Sequence, residues 1–206
     1  MQRRARCRSL IDVSLPDPPD GAFPMTARTR YSTPLIALHW LTLLLIVATY
    51  FFILVRTEFP KGSDTRLLVK TLHFSFGLTV FAVVWLRLAA RFANGPAPTI
   101  TPALPRWQHL ASKATHVALY GLMIGMPIGG LLILSFEGDP IPYFNLFTIA
   151  PLVAPDKELA EVVEELHETG GTIGYFLIGL HALAGLYHHY VKRDNTMARM
   201  LPGREA

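Results

Sequence analysis

Four of the chain's eight histidines, His167, His181, His188 and His189, fall in one mostly apolar stretch, residues 165–195. An ionisable side chain in an oily segment is costly to keep and marks a functional position by default. His167 and His181 are 14 residues apart. In a helix that is close to four turns, so the two side chains share a face about 21 Å apart along the axis. This spacing suits two cofactors stacked across a membrane, each needing a second axial ligand at its own depth. Neutral imidazole is a ligand for haem iron, and two imidazoles per iron make a low-spin electron-transfer site. Zinc wants its ligands gathered around one ion, which two depths do not provide.

The elements that must hold these histidines are legible as four apolar blocks, residues 34–55, 67–92, about 107–135 and about 159–191. Each has about the 20 residues that cross a hydrocarbon core. Of the 206 residues, 51% are hydrophobic and 17% charged, well under the roughly 25% charged of soluble proteins; the mean hydropathy is +0.34. Lipid offers the backbone no partners, so the blocks are helices. The fold class is all-α, an integral-membrane four-helix bundle enclosing two haems, with loops rich in Pro, Gly and Asp. Residues 30–202 form this domain, 1–29 a disordered basic extension and 203–206 a short tail. The "MQRRARCRSL" start has no apolar run behind it and is not a usable signal peptide; Met25 is an alternative initiator. Cys7 is the only cysteine, so no internal disulfide forms, and with no CxxCH motif the haems are held non-covalently.

The net charge of +4 does not indicate a nucleic-acid partner, because the basic residues cluster beside the apolar blocks and fix orientation in lipid. The N-terminal flank, the second connection and the C-terminal flank are basic, whereas the third connection holds eight acids against Lys157. Both termini and the second connection therefore face the cytoplasm, and the first and third connections face outward. His39 then lies two turns into the first helix from the inner side, and His73 lies near the outer end of the second. His73 matches His167 on the outer side; His39 matches His181 on the inner side. His188 shares the face of His181 and is an alternative inner ligand. His189 and His109 are expected at headgroups or water. His116 opens the third helix on the cytoplasmic side, where it either contacts a haem propionate or a quinone, or caps the helix. Arg87 and Arg91, one turn apart, either pair with propionates or serve as orientation signals. Gly174, midway between His167 and His181, either leaves room for porphyrin edges or packs helices; the same two readings apply to Gly77. Gly121, Gly125 and Gly129 recur every four residues and are expected to pack.

The segments "RYSTPLIALHWLTLLLI", "HETGGTIGYFLIGLHALAGLYHHY" and "DNTMARMLP" resemble the prokaryotic cytochrome b561 family, over residues 31–202. The resemblance implies a multi-pass protein of the bacterial inner membrane with two b-type haems, exchanging electrons with quinone. It extends to a member that takes electrons from superoxide and reduces ubiquinone. By motif it makes His39 and His181 the inner iron ligands and His73 and His167 the outer pair, favouring His181 over His188. Superoxide is an anion, and Arg56, Lys61, Arg66 and Lys70 near the outer haem form a patch that steers it or a merely solvated loop. Quinone reduction needs protons, for which Glu168 and His116 are the candidate groups. Two other functions stand beside this one: a general quinone-linked carrier or membrane anchor serving an unidentified partner dehydrogenase, and a non-enzymatic membrane protein whose histidines bind zinc or pack.

Overall fold

The computed structural model describes residues 28–203. Four helices carry the fold: α1 Thr33–Val55, α2 Asp64–Ala93, α3 Arg106–Glu137 and α4 Lys157–Tyr187. All four are long and apolar enough to cross a membrane. Their ends follow local chemistry. Pro34 sits at the start of α1, where its missing N–H costs no hydrogen bond. The Ser63 hydroxyl accepts from the Arg66 N–H at 3.3 Å, and Asp156 accepts from the Leu159 N–H at 3.1 Å, so α2 and α4 are both capped. At the end of α3, Gly138 takes φ 79°, and the Asp139 N–H returns to the Leu134 carbonyl at 2.9 Å. That left-handed stop favours glycine.

In lipid, apolar contact between helices gives no special advantage, so close approach and satisfied polar groups decide packing. The core is a seam of Leu45 from α1, Val80, Val83 and Val84 from α2, and Met123 from α3. α1 runs along α2 and α3 along α4, while α1 and α4 barely touch. α4 buries little besides Ala160 and Gly174. Large apolar side chains point outward, with Leu44 67% and Phe176 75% exposed, as lipid-facing residues do. The hydroxyls of Thr42, Thr49, Ser75 and Thr79 each bond the carbonyl four residues back, which leaves none unsatisfied.

Two features go beyond the expected four helices and plain loops. The third connection is a β-hairpin, β1 Ile141–Tyr143 paired antiparallel with β2 Phe147–Ile149. Phe144 and Asn145 have φ of 48° and 55°, and the Leu146 N–H meets the Tyr143 carbonyl at 2.9 Å, the arrangement of a type I′ turn. The hairpin folds back onto α2. The Ser75 hydroxyl accepts the Phe144 N–H at 2.7 Å, the Phe144 ring meets Phe76, and Ile141 is 1% exposed.

At the opposite end, α4 closes in a π-helical turn, His188–Lys192, and residues 194–203 fold back as a clasp. Asn195 bonds the Thr99 carbonyl at 3.1 Å and the Thr101 N–H at 2.9 Å. The Trp40 indole donates to the Met200 carbonyl at 2.8 Å, and the Tyr31 N–H to the Arg199 carbonyl at 3.2 Å. Arg199 is buried and donates to the Pro98 carbonyl. The clasp thus ties the start of α1, the α2–α3 connection and the end of α4 together. The expected basic extension lies almost wholly outside the described residues.

Candidate functional site

At the hairpin end, His73 on α2 and His167 on α4 face each other with ring centres 6.4 Å apart and planes at 80°. The Nδ1 of His73 lies 2.9 Å from the Thr49 carbonyl. A carbonyl only accepts, so Nδ1 carries the proton and Nε2 presents a lone pair, the arrangement of a metal-binding histidine. The Nδ1 of His167 is buried on the side of the Met126 backbone of α3, and glycines hold its ring by shape. A Cβ on Gly129 would stand 3.1 Å from that Nδ1, and one on Gly130 3.6 Å from its Cε1. Between the rings and the adjoining helices lies a cavity of about 400 Å³, whose lining includes Tyr50, Gly77, Met126 and Tyr175 and the charged groups Arg56, Lys70, Glu137, Glu164 and Glu168.

At the termini end, His39 on α1 and His181 on α4 repeat the motif, with ring centres 6.3 Å apart and planes at 76°. A third imidazole, His116 of α3, has its ring centre 5.3 Å from that of His181. Its Nδ1 is 2.6 Å from the Ser112 carbonyl of its own helix. Arg87 places Nη2 2.9 Å from the His39 Nδ1 and its guanidinium 5.6 Å from the Tyr120 ring centre.

An ion between two imidazoles, with bonds of about 2.0 Å and ring centres ~1.1 Å beyond each nitrogen, sets the ring centres about 6 Å apart. Both pairs stand at that separation, on opposite halves of one helix. At the His73–His167 pair the two facing imidazoles and the adjoining cavity fit a b-type haem. The gathered set of three or more ligands that zinc prefers is not found among the described residues.

The remaining expected site residues divide. Arg56 and Lys70 line the cavity, and Arg56 pairs with Glu168 at 4.0 Å. Lys61 and Arg66 do not line it. Arg66 instead donates to the Arg56 and Phe59 carbonyls at 3.1 and 2.9 Å, tying the first connection together. Arg91 is separated from Arg87 in role, since it donates to the Gly95 carbonyl at 2.5 Å. His188 does not face the His39 pair; its Nδ1 meets the Asp194 carboxylate at 2.5 Å. His116 is ten residues inside α3 rather than at its start, and it neither caps nor opens the helix. Gly174 packs tightly, since a Cβ there would overlap the Tyr50 hydroxyl and stand 3.1 Å from Leu122 Cδ1. At Gly77 the nearest atom to a Cβ would be 3.9 Å away, and at Gly121 and Gly125 nothing lies within 4 Å, so the packing expected of those two is absent. The adjacent pair Gly129–Gly130 was the available signal for the His167 seat.

A family model for prokaryotic cytochrome b561 matches residues 30–203. The chain belongs to the prokaryotic cytochrome b561 family. Cytochrome b561 homolog 1 of Escherichia coli (strain K12) is 38% identical over 176 residues, covering 85% of this chain and 99% of that protein. A probable superoxide oxidase, CybB, of Yersinia pestis is 33% identical over 173 residues, covering 84% and 96%. Cytochrome b561 homolog 2 of Escherichia coli (strain K12) is 27% identical over 172 residues, covering 84% and 91%. This b561-type cytochrome is therefore a multi-pass membrane protein of electron transport, and its family implies b-type haem.

Proposed function

We propose that this cytochrome holds two b haems, an outer one between His73 and His167 and an inner one between His39 and His181, and oxidises superoxide at the expense of ubiquinone. The observation that carries the proposal is the repeated pair of facing imidazoles, with ring centres 6.4 and 6.3 Å apart. The termini end faces the cytoplasm of a bacterial inner membrane, in keeping with its basic flanks.

The overall chemistry balances: two superoxide anions lose one electron each and leave as dioxygen, and ubiquinone takes two electrons and two protons. When bound, a b haem supplies a one-electron carrier, and two of them match the two electrons of the quinone. The chain's own groups do the rest. The imidazoles fix each cofactor. Arg56 and Lys70 offer an approaching anion a local positive site in a cavity that also holds the carboxylates Glu137, Glu164 and Glu168. Arg56 already interacts with Glu168, so an anion competes with that carboxylate for it. Glu168, next to His167 in sequence, and His116, beside His181, are the groups proposed to move protons.

A second reading is favoured by the relative at 38% identity, which carries only a cytochrome name: a quinone-linked carrier or anchor for a partner dehydrogenase. Stopped-flow mixing of purified protein with superoxide, with and without ubiquinone, separates the two. Superoxide oxidation expects catalytic loss of superoxide with ubiquinone present and no added partner. It also expects Arg56→Gln/Lys70→Gln to lower kcat/KM severalfold and to flatten its fall with added salt. Two haems that stay oxidised in superoxide would leave the carrier reading.

A further inference from the structure

We propose that Tyr50 is a positioning residue, a strut that sets the distance between α1 and α4 and so holds both haem sites in register; this rests on the di-haem reading above. α1 and α4 between them carry three of the four histidines, yet they barely pack on each other. Tyr50 crosses that gap. Its hydroxyl donates to the Gly171 carbonyl at 2.8 Å, and its ring centre is 4.3 Å from that of Tyr175. The hydroxyl lies so close to Gly174 that any Cβ there would overlap it. α4 can come this near only because residue 174 has no side chain. Gly174 is seven residues from His167 and seven from His181, and Gly171 is four from His167, so the contact falls between the two sites, at the edge of the outer cavity that Tyr50 also lines.

A phenol suits this task. It is rigid, with two rotatable bonds and little entropy to lose. A hydroxyl at membrane depth must be hydrogen-bonded, so its bond to Gly171 fixes the height of α4 against α1 as well as the separation. Displacing the hydroxyl therefore moves His181 relative to His39 and His167 relative to His73.

The test uses the full haem-loaded chain with Tyr50→Phe, Gly174→Ala and the double variant. The readouts are haem per chain, low-temperature visible bands, low-spin EPR signals and the two midpoint potentials. Tyr50→Phe keeps the ring and loses the hydrogen bond; both haems are retained, with bands and potentials of both displaced. Gly174→Ala pushes the hydroxyl aside and lowers haem per chain at least twofold. In the double variant the overlapping oxygen is gone, so at least half of the lost haem returns, a coupling that independent sites do not show. No rescue, or a change confined to one haem, overturns the strut. If Gly174→Ala fails to accumulate, Tyr50→Phe decides: unchanged bands and potentials at both sites overturn it. A wild-type protein without two haems would instead defeat the di-haem reading, before any variant is compared.

Discussion

His73 and His39 hold their Nδ1 atoms in opposite ways. His73 gives its proton to the Thr49 carbonyl and keeps Nε2 free for iron. His39 faces a guanidinium, which only donates, so its Nδ1 accepts and its neutral ring carries the proton on Nε2. Were His39 to hold haem iron through Nε2, its proton would sit on Nδ1, and Arg87 would be left for another acceptor, for which a haem propionate is suited. Arg87→Gln removes a fixed positive charge beside the proposed inner haem, which disfavours the reduced form there. In a redox titration the inner midpoint potential falls while the outer one holds; equal shifts, or none, would contradict this role. The histidines themselves were legible in the sequence because their spacing is helical and their surroundings apolar. The Arg87–His39 contact was not, since it joins positions 48 apart on two helices whose rotation no local pattern reveals. His188 looked like a ligand by periodicity alone. Its carboxylate partner comes from a segment after the helix, in a fold-back that spacing cannot show.

At the scale of elements, the four helices were readable from block length and charge, and their bounds shift by only a few residues. The hairpin escaped because each strand has three residues, β1 contains a proline, and its turn uses Phe144–Asn145 rather than a glycine. Its stability comes from α2, through Ser75 and Phe76, which is tertiary information. The clasp escaped for the same reason, although "DNTMARMLP" was visible as a motif. Its acidic centre, Asp194, is 7% exposed. Burial pushes the Asp194 carboxyl up, but hydrogen bonds from Thr196 and His188 outweigh it and hold the group below its usual range. A folded value below the unfolded one means that its stabilising contribution is full above the ordinary carboxylate range. The contribution is lost as pH falls through the lowered value. Asp194→Asn costs about 1.5–3 kcal/mol at neutral pH, the worth of charge-assisted hydrogen bonds. Thermal unfolding in detergent across acid pH checks this: the wild-type Tm falls more steeply with acid than that of the variant, and parallel curves would contradict it.

For the whole molecule, two hairpin-like helix pairs, α1–α2 and α3–α4, stand with a sparsely packed gap between α4 and both α1 and α2. That gap is where the histidine pairs meet, because α4 spends its inward face on His167, Gly174 and His181 rather than on bulky apolar groups. The charge pattern along the sequence places the two chain ends on one side, and the clasp that joins Tyr31 to Arg199 agrees with that arrangement. The proposed donor, superoxide, depends on the balance of Arg56 and Lys70 against three carboxylates in one cavity.

The most direct measurement is haem per chain by reduced-minus-oxidised spectra in the wild type, His73→Ala and His181→Ala. Two low-spin b haems in the wild type are predicted, with one lost in each variant and a different spectral component surviving in each. One haem in the wild type, or the same component lost from both variants, would contradict two separate bis-histidine sites.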